Sequence, residues 1–174
     1  WTDCRLNDED KKTIEQVVTD SEQLSTLKFA IGEAGISGVL DGPGPYTLFA
    51  PTDRAFQNVP SELLTYLLEN PTTLAQVLQY HVLDGEVPSS AIALGTGAVS
   101  TLLEGEDTID VEKVCWTAVE TCDSAFSITL NDSSYVVAAD VSTANGIIHI
   151  IEEVLIPPSL TDAVEGILAA SISK

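Results

Sequence analysis

The feature that most constrains the fold is a pair of β-branched runs between residues 135 and 158, which flank Asn145-Gly146. Asn-Gly readily supplies the two positive φ angles of a tight turn, so the runs are predicted to form a hairpin. The second run is almost entirely apolar, which indicates a strand buried on both faces. Pro157-Pro158 ends that strand, because proline cannot donate to a strand ladder. The chain is therefore predicted to close around a buried hairpin.

Helical patterns come first in the chain and strand patterns come last. Helix-type apolar spacing covers much of residues 13–80, with caps predicted at Thr13, Ser21, Thr52 and Ser61. Strand-type alternation follows from residue 100 onward and includes residues 108–111 and 126–130. Because no strand–helix–strand rhythm is present, the sequence predicts an α+β domain with a largely antiparallel sheet.

Local patterns predict particular elements along the chain. Residues 80–83 are predicted to form a strand that leads into the turn at Asp84-Gly85, and residues 95–97 are predicted to be a loop. A helix beginning at Ser61 is predicted to bury four leucines, namely Leu63, Leu64, Leu67 and Leu68. Asp53 is interpreted as a cap of the short helix that starts at Arg54.

Charge excludes some classes of partner. The 174 residues include 27 acidic and 7 basic side chains, for a formal net charge of -20, and the acidic residues are spread along the whole chain. Nucleic acid is excluded as a partner, because phosphate contacts require a basic surface. No apolar run is long enough to span a bilayer, so membrane insertion is not expected.

The candidates for chemistry all have simpler interpretations, so no enzymatic activity, cofactor or metal is predicted. Of the two histidines, His149 shares an apolar strand face with Ile147 and Ile151, which favours a core histidine bonded to backbone or to a buried acid. His81 has a similar interpretation, and no carboxylate is placed as a third metal ligand with the two histidines. One acidic cluster lacks the spacing of a calcium loop and is interpreted as solvated surface: Glu104, Glu106, Asp107, Asp110 and Glu112.

Three sequence blocks together resemble the fasciclin domain. They are Tyr46-Thr-Leu-Phe-Ala-Pro-Thr-Asp-Arg-Ala-Phe56, Leu74-Ala-Gln-Val-Leu-Gln-Tyr-His-Val-Leu-Asp-Gly85 and Asn145-Gly-Ile-Ile-His-Ile-Ile-Glu-Glu-Val-Leu-Ile-Pro157. Because several separate blocks match the family and occur in the family's order, the resemblance is specific. It defines residues 13–158 as a fasciclin-like domain, with residues 1–12 as an N-terminal arm and residues 159–174 as a C-terminal short helix or linker.

The resemblance implies a wedge of largely antiparallel strands packed with several short helices, and no cofactor. It also implies a secreted or cell-surface module that mediates cell–cell or cell–matrix adhesion. The expected partner is an extracellular protein or glycan, and weak homophilic association is a further expectation. Two alternatives stay open: an extracellular polymer hydrolase that uses a carboxylate pair, and a structural spacer between neighbouring domains.

Within this resemblance, the Tyr-His block supplies the expected partner-binding residues, which are Tyr80, His81, Leu83, Asp84 and Glu86. The family usually has a short turn where this chain inserts residues 114–123, and Cys115 and Cys122 in that insertion are expected to form a disulfide. Pairing of Cys4 with either of them is the competing arrangement. Asn131-Asp132-Ser133 is a glycosylation sequon.

Overall fold

Helices form most of the first half of the chain and strands most of the second half. The computed structural model describes residues 12–92, 95–103, 108–115 and 126–172. The helices are α1 Ile14–Asp20, a 3₁₀ turn Glu22–Leu24, α2 Ser25–Ala34, α3 Ser37–Leu40, α4 Asp53–Asn58, α5 Ser61–Glu69, α6 Pro71–Tyr80 and α7 Pro158–Ile172. The strands are β1 Tyr46–Pro51, β2 Val82–Asp84, β3 Gly95–Ser100, β4 Thr108–Cys115, β5 Phe126–Leu130, β6 Ser134–Ser142 and β7 Gly146–Ile151. The α+β class predicted from the sequence is confirmed.

The strands of the described residues form one sheet in the order β2-β1-β7-β6-β5-β4-β3. Every neighbouring pair is antiparallel except β1 and β7, which run parallel from Tyr46 opposite Gly146 onward. The two ends of the sheet approach each other where Leu83 bridges Thr101. The amide of Leu102 also donates to the carbonyl oxygen of Val82 at 2.7 Å. The predicted, largely antiparallel sheet is therefore confirmed, and it is almost closed into a barrel.

Strand β7 separates two apolar cores because its side chains alternate between the faces of the sheet. Ile148 packs with the helices in one core, beside Leu48 of β1. Ile151 packs with Phe49 in the other core, beneath β4 and β5. Burying each such isoleucine or leucine contributes about 1.5–3 kcal/mol. The prediction of a strand buried on both faces is confirmed.

Local helix signals from the sequence are partly confirmed. Thr13 forms a capping box with Gln16 at the start of α1, and Thr52 accepts a hydrogen bond from the amide of Ala55 in α4. Gly35 ends α2 in the left-handed conformation, with φ 69°. The caps predicted at two serines are wrong, because their hydroxyl groups bond elsewhere: Ser21 to Val17 and Ser61 to Glu62.

Three other local predictions are wrong for reasons beyond local sequence. Helix α6 continues to Tyr80, so the strand begins at Val82 rather than at residue 80. The glycine-rich residues 95–97 belong to β3, because pairing with β4 gives them a ladder that their own propensity does not favour. In α5 only Leu63 and Leu67 are buried, whereas Leu64 is partly buried and Leu68 is 39% exposed, because one face of the helix packs against the core and the other faces solvent.

The predicted hairpin forms, but its turn differs from the prediction. Strands β6 and β7 are antiparallel neighbours joined by residues 143–145, and Asn145 does not have a positive φ angle. A turn with two positive φ angles lies instead between β5 and β6, at Asn131 and Asp132.

Asn145 contributes to the fold through the hydrogen bonds of its side chain rather than through turn geometry. Its Oδ1 accepts a hydrogen bond from the amide of Ile14 at 2.9 Å. Its Nδ2 donates to the carbonyl oxygens of Leu40 at 2.6 Å and Gly42 at 2.9 Å. This buried amide therefore ties the N-terminal helices to the centre of the sheet.

The structure describes most of the C-terminal flank of the predicted domain but little of the N-terminal arm. The C-terminal flank forms α7, whose Val164 is buried against the helical core. Of the N-terminal arm, residues 1–11 lie outside the described residues.

Candidate functional site

Tyr80 lies at the junction between the helices and the sheet. It is the last residue of α6 and is fully buried. Its hydroxyl donates to the carbonyl oxygen of Thr108 at 2.8 Å and accepts from Nδ2 of Asn131 at 3.1 Å. Buried tyrosine hydroxyls usually find such partners. The geometry accounts for Tyr80 as a structural link between α6 and the β4–β5 region.

His81 joins three segments of the chain and is also fully buried. Its Nε2 lies 2.9 Å from the amide of Leu155, so Nε2 accepts a hydrogen bond. The ring proton must therefore be on Nδ1, which donates to the carbonyl oxygen of Val77 at 2.7 Å. The backbone oxygen of His81 accepts from the amide of Phe49. Because both ring nitrogens have backbone partners, His81 is not placed to act as a general base.

The pKa of His81 leads to a prediction about pH. Burial lowers this pKa from 6.5 to about 4, although the bond to Val77 acts in the opposite direction. Between these two values the unfolded chain binds a proton at His81 and the folded chain does not, so stability falls as the pH is lowered. We expect this residue to account for a loss of about 2 kcal/mol between pH 6.5 and pH 5. Urea unfolding at pH 7, 6 and 5 measures it.

The matched variant for this experiment is His81→Gln, whose amide can replace one backbone bond without titrating. Its stability should depend less steeply on pH than that of the wild type across the same range. Equal slopes in the two proteins would show that His81 is not the group that responds.

The remaining residues of the predicted segment differ in exposure. Leu83 is buried in the sheet core, whereas Asp84 and Glu86 are exposed. They flank Gly85, whose φ of 105° suits a residue without Cβ. Thr47 fixes this turn, because its Oγ1 donates to the carbonyl oxygen of Gly85 and accepts from the amide of Val87, both at 2.8 Å. The segment therefore presents two carboxylates on a well-braced turn.

His149 is buried too, as the strand pattern predicted. Its ring is stacked on Phe49, with 5.5 Å between the ring centroids. Its Nε2 is 2.8 Å from the carbonyl oxygen of Val87, and its Nδ1 is 3.3 Å from the amide of Asp140. Burial lowers its pKa, against the opposing effects of the Val87 bond and the Asp140 carboxylate. The prediction of a core histidine bonded to backbone is confirmed.

Next to His149 lies a polar cluster that the sequence patterns did not predict. The carboxylate of Asp140 accepts hydrogen bonds from both the amide and the hydroxyl group of Ser89. Burial acts to raise the pKa of Asp140, but these bonds and the nearby His149 and Lys113 lower it overall. Lys113 donates to the carbonyl oxygen of Ser89 at 2.6 Å and lies 4.6 Å from the ring centroid of Phe126. The cluster fastens residues 87–89 to the sheet.

One sequence signal for this cluster existed. Lys113 follows Ile109 and Val111 at period 2, which places it on the buried face of β4. Ser89 and Asp140 carried no such signal, because they are 51 residues apart. The hydroxyl group of Ser89 donates to Asp140 and Nε2 of His149 faces a carbonyl oxygen, so these residues do not form a nucleophile–base pair.

An open cleft of about 460 Å³ bears on the hydrolase alternative. Its lining includes Glu22, Asp53, Arg54 and Glu152. Asp53 accepts hydrogen bonds from Ser25 and Thr26, so it caps α2 rather than α4. Burial acts to raise the pKa of Asp53, but these bonds lower it overall. A carboxylate that stays ionised is a poor proton donor. Asp53 is therefore not suited to be the general acid of a carboxylate-pair hydrolase in this cleft.

The predicted disulfide and sequon are described only in part. Cys115 is disulfide-bonded, and its predicted partner Cys122 lies outside the described residues, as does Cys4. Asn131 is half-buried in a turn, and its Oδ1 accepts from the amide of Asp110 at 2.9 Å. Its Nδ2, the atom to which a glycan would be attached, donates to Tyr80.

The described residues contain neither a metal-binding cluster nor a membrane-spanning helix. That part of the chain holds no group of three or more His, Cys, Asp or Glu side chains that could bind a metal ion. Three members of the acidic cluster, Glu104, Glu106 and Asp107, lie outside it. In the same part of the chain, every helix is too short or too polar to cross a membrane.

Comparisons with known proteins give a consistent result. The family model for the fasciclin domain matches residues 22–157. Transforming growth factor-beta-induced protein ig-h3 from Sus scrofa is 32% identical over 84% of this chain, which spans 20% of that protein. The Synechocystis protein sll1735 is 32% identical over 82% of this chain and 96% of its own length. Human periostin is 33% identical over 88% of this chain, which spans 17% of periostin.

The solved structures include a FAS1 domain pair from the insect cell adhesion molecule Fasciclin I. It matches with a TM-score of 0.58 and 20% identity, over 76% of this chain and 45% of that one. At this level of identity the match supports the fold.

Proposed function

This chain belongs to the fasciclin domain family, and from that membership we propose that it is an extracellular adhesion module. It acts at the cell surface or in a secreted protein and binds an extracellular protein or glycan. Support for adhesion comes from membership of this family.

The observation that carries the proposal is the braced turn that presents Asp84 and Glu86. Both carboxylates are exposed, and the hydrogen bonds of Thr47 to Gly85 and Val87 brace the turn that carries them. Binding residues are commonly found on loops positioned by a rigid scaffold. Tyr80, His81 and Leu83 contribute indirectly, because their burial fixes the strand that leads into the turn.

The test combines Asp84→Ala with Glu86→Ala and measures attachment of cells or matrix to the immobilised domain. Both side chains are exposed, so the free energy of unfolding should change by less than about 0.5 kcal/mol per substitution. Attachment should weaken while the melting temperature stays almost constant.

The control carries Glu33→Ala and Glu69→Ala, which remove the same charge from exposed positions on α2 and α5. This variant should attach as the wild type does. If the Asp84/Glu86 variant also attaches normally, the turn is not the contact. If the wild-type domain retains no partner from its native matrix, the spacer alternative is favoured.

A further inference from the structure

The two edges of the sheet differ in how they are protected. Strand β2 has three residues, ends at the exposed Asp84 and is followed by Gly85. Such a short, charged edge resists pairing with another chain. Strand β3 is twice as long, runs from Gly95 to Ser100 and contains neither a charged residue nor a proline.

Strand β3 is also open to solvent. Five of its six residues are exposed, and Val99 is half-buried. Within the part of the chain that the structure describes, β3 pairs with β4 on one side only, until Thr101 bridges Leu83. An edge of this kind presents unpaired amide and carbonyl groups to any extended segment that approaches it.

We propose that the outer edge of β3 binds an extended, lysine- or arginine-rich segment of another protein, which adds to the sheet as an eighth strand. The proposal does not depend on the adhesive function.

The charges beside β3 identify the chemistry of the occupant. Thr96 pairs with Glu112 and Ala98 pairs with Asp110, so these four side chains share one face of the sheet. It is the outer face, because Ile109 and Val111 alternate with the two acids and are buried. A strand added beside β3 would lie about 10 Å from β4, and lysine side chains could reach the carboxylates over the small residues of β3.

A second copy of this chain fits the edge less well. Each copy has a net charge of -20, so two copies repel each other, and β3 has no basic side chain to meet the partner's acids. For a cationic segment, both backbone pairing with β3 and attraction to the carboxylates of β4 favour binding.

The probe is a synthetic eight-residue peptide of alternating lysine and threonine, titrated into the isotope-labelled protein at low salt. Amide resonances of residues 95–100 should shift, those of Gly95 and Gly97 among them. Two peptide controls separate the contributions. A backbone N-methylated form keeps the charges but cannot pair as a strand, and a form with glutamate in place of lysine keeps the backbone but reverses the charge. Neither should shift these resonances.

The protein variant for this test carries Asp110→Asn and Glu112→Gln. Exposed ion pairs contribute about 0.5 kcal/mol each, so the loss of two should raise the Kd about fivefold. The control carries Glu33→Gln and Glu69→Gln, which remove the same charge from exposed positions on α2 and α5 and should leave the Kd unchanged.

Three results would overturn the proposal. The first is that the amide resonances of β3 do not respond. The second is that the N-methylated peptide binds equally well, since that would reduce the interaction to charge alone. The third is a dimer in sedimentation equilibrium, without peptide, that protects the β3 amides from hydrogen exchange, which would make a second copy the occupant.

Discussion

Gly146→Ala is expected to destabilise the domain by more than about 5 kcal/mol, which is comparable to the whole stability of many domains. A methyl group at this position would overlap the backbone oxygen of Tyr46. It would also lie 2.7 Å from the carbonyl carbon and 2.9 Å from the amide nitrogen of Tyr46. All three atoms belong to the backbone of β1, so relief requires β1 and β7 to separate at the centre of the sheet.

The measurement is urea unfolding of Gly146→Ala beside Gly32→Ala. Gly32 lies inside α2, with no atom near its added methyl group, and Ala there should stabilise by about 0.5–1 kcal/mol. A Gly146→Ala protein that unfolds at nearly the wild-type urea concentration would contradict the close approach of the two strands.

Asn145→Asp is expected to cost about 4 kcal/mol at neutral pH. The substitution keeps an oxygen that can accept from the amide of Ile14, but it replaces the donor to Leu40 and Gly42 with a second oxygen. A buried carboxylate would then face two carbonyl oxygens, and each buried group left unsatisfied costs about 1–3 kcal/mol. Thermal and urea unfolding at pH 7 measure the loss.

The pH dependence of the Asn145→Asp variant shows whether the loss of stability comes from burying a charged carboxylate or from a poor steric fit. The new carboxyl would have a raised pKa in the folded state, because burial and the two carbonyl oxygens favour its neutral form. Below that pKa it becomes a hydrogen-bond donor again, so the deficit relative to the wild type should narrow in acid. Asn58→Asp, at an exposed position on α4, should change stability by no more than about 0.5 kcal/mol at any of these pH values. A deficit that does not change with pH would assign the loss to misfit instead.

The parts of the fold that sequence could predict are those fixed by near neighbours. Thr13, Gly35 and Thr52 act on residues within one turn of their own helix, so their roles follow from a short window of sequence. Asn145 was misinterpreted because the same dipeptide fits a hairpin turn, whereas its actual partners lie more than 100 residues away. Strand β3 was missed because its strand conformation depends on β4.

In the candidate site, too, the sequence could predict features that depend on near neighbours but not those that depend on distant contacts. The strand pattern correctly placed His149 in the core, because period 2 assigns a residue to a face without reference to distant contacts. The pattern could not show that Asp140 and Ser89 meet beside it. The Tyr-His block likewise predicted the position of a candidate segment, but the exposure of each residue depends on packing, which leaves Asp84 and Glu86 at the surface.

The position of β7 in the sheet has a consequence for how the chain acquires its fold. This strand lies between β1 and β6, yet its contacts with β1 join residues 100 positions apart, such as Tyr46 and Gly146. Because contacts between distant positions slow folding, we infer a high contact order and a slow folding rate for this domain. During synthesis, β1 emerges long before the strand that completes its pairing. The sheet of the nascent chain therefore stays incomplete until about residue 151 has left the ribosome or the translocation channel.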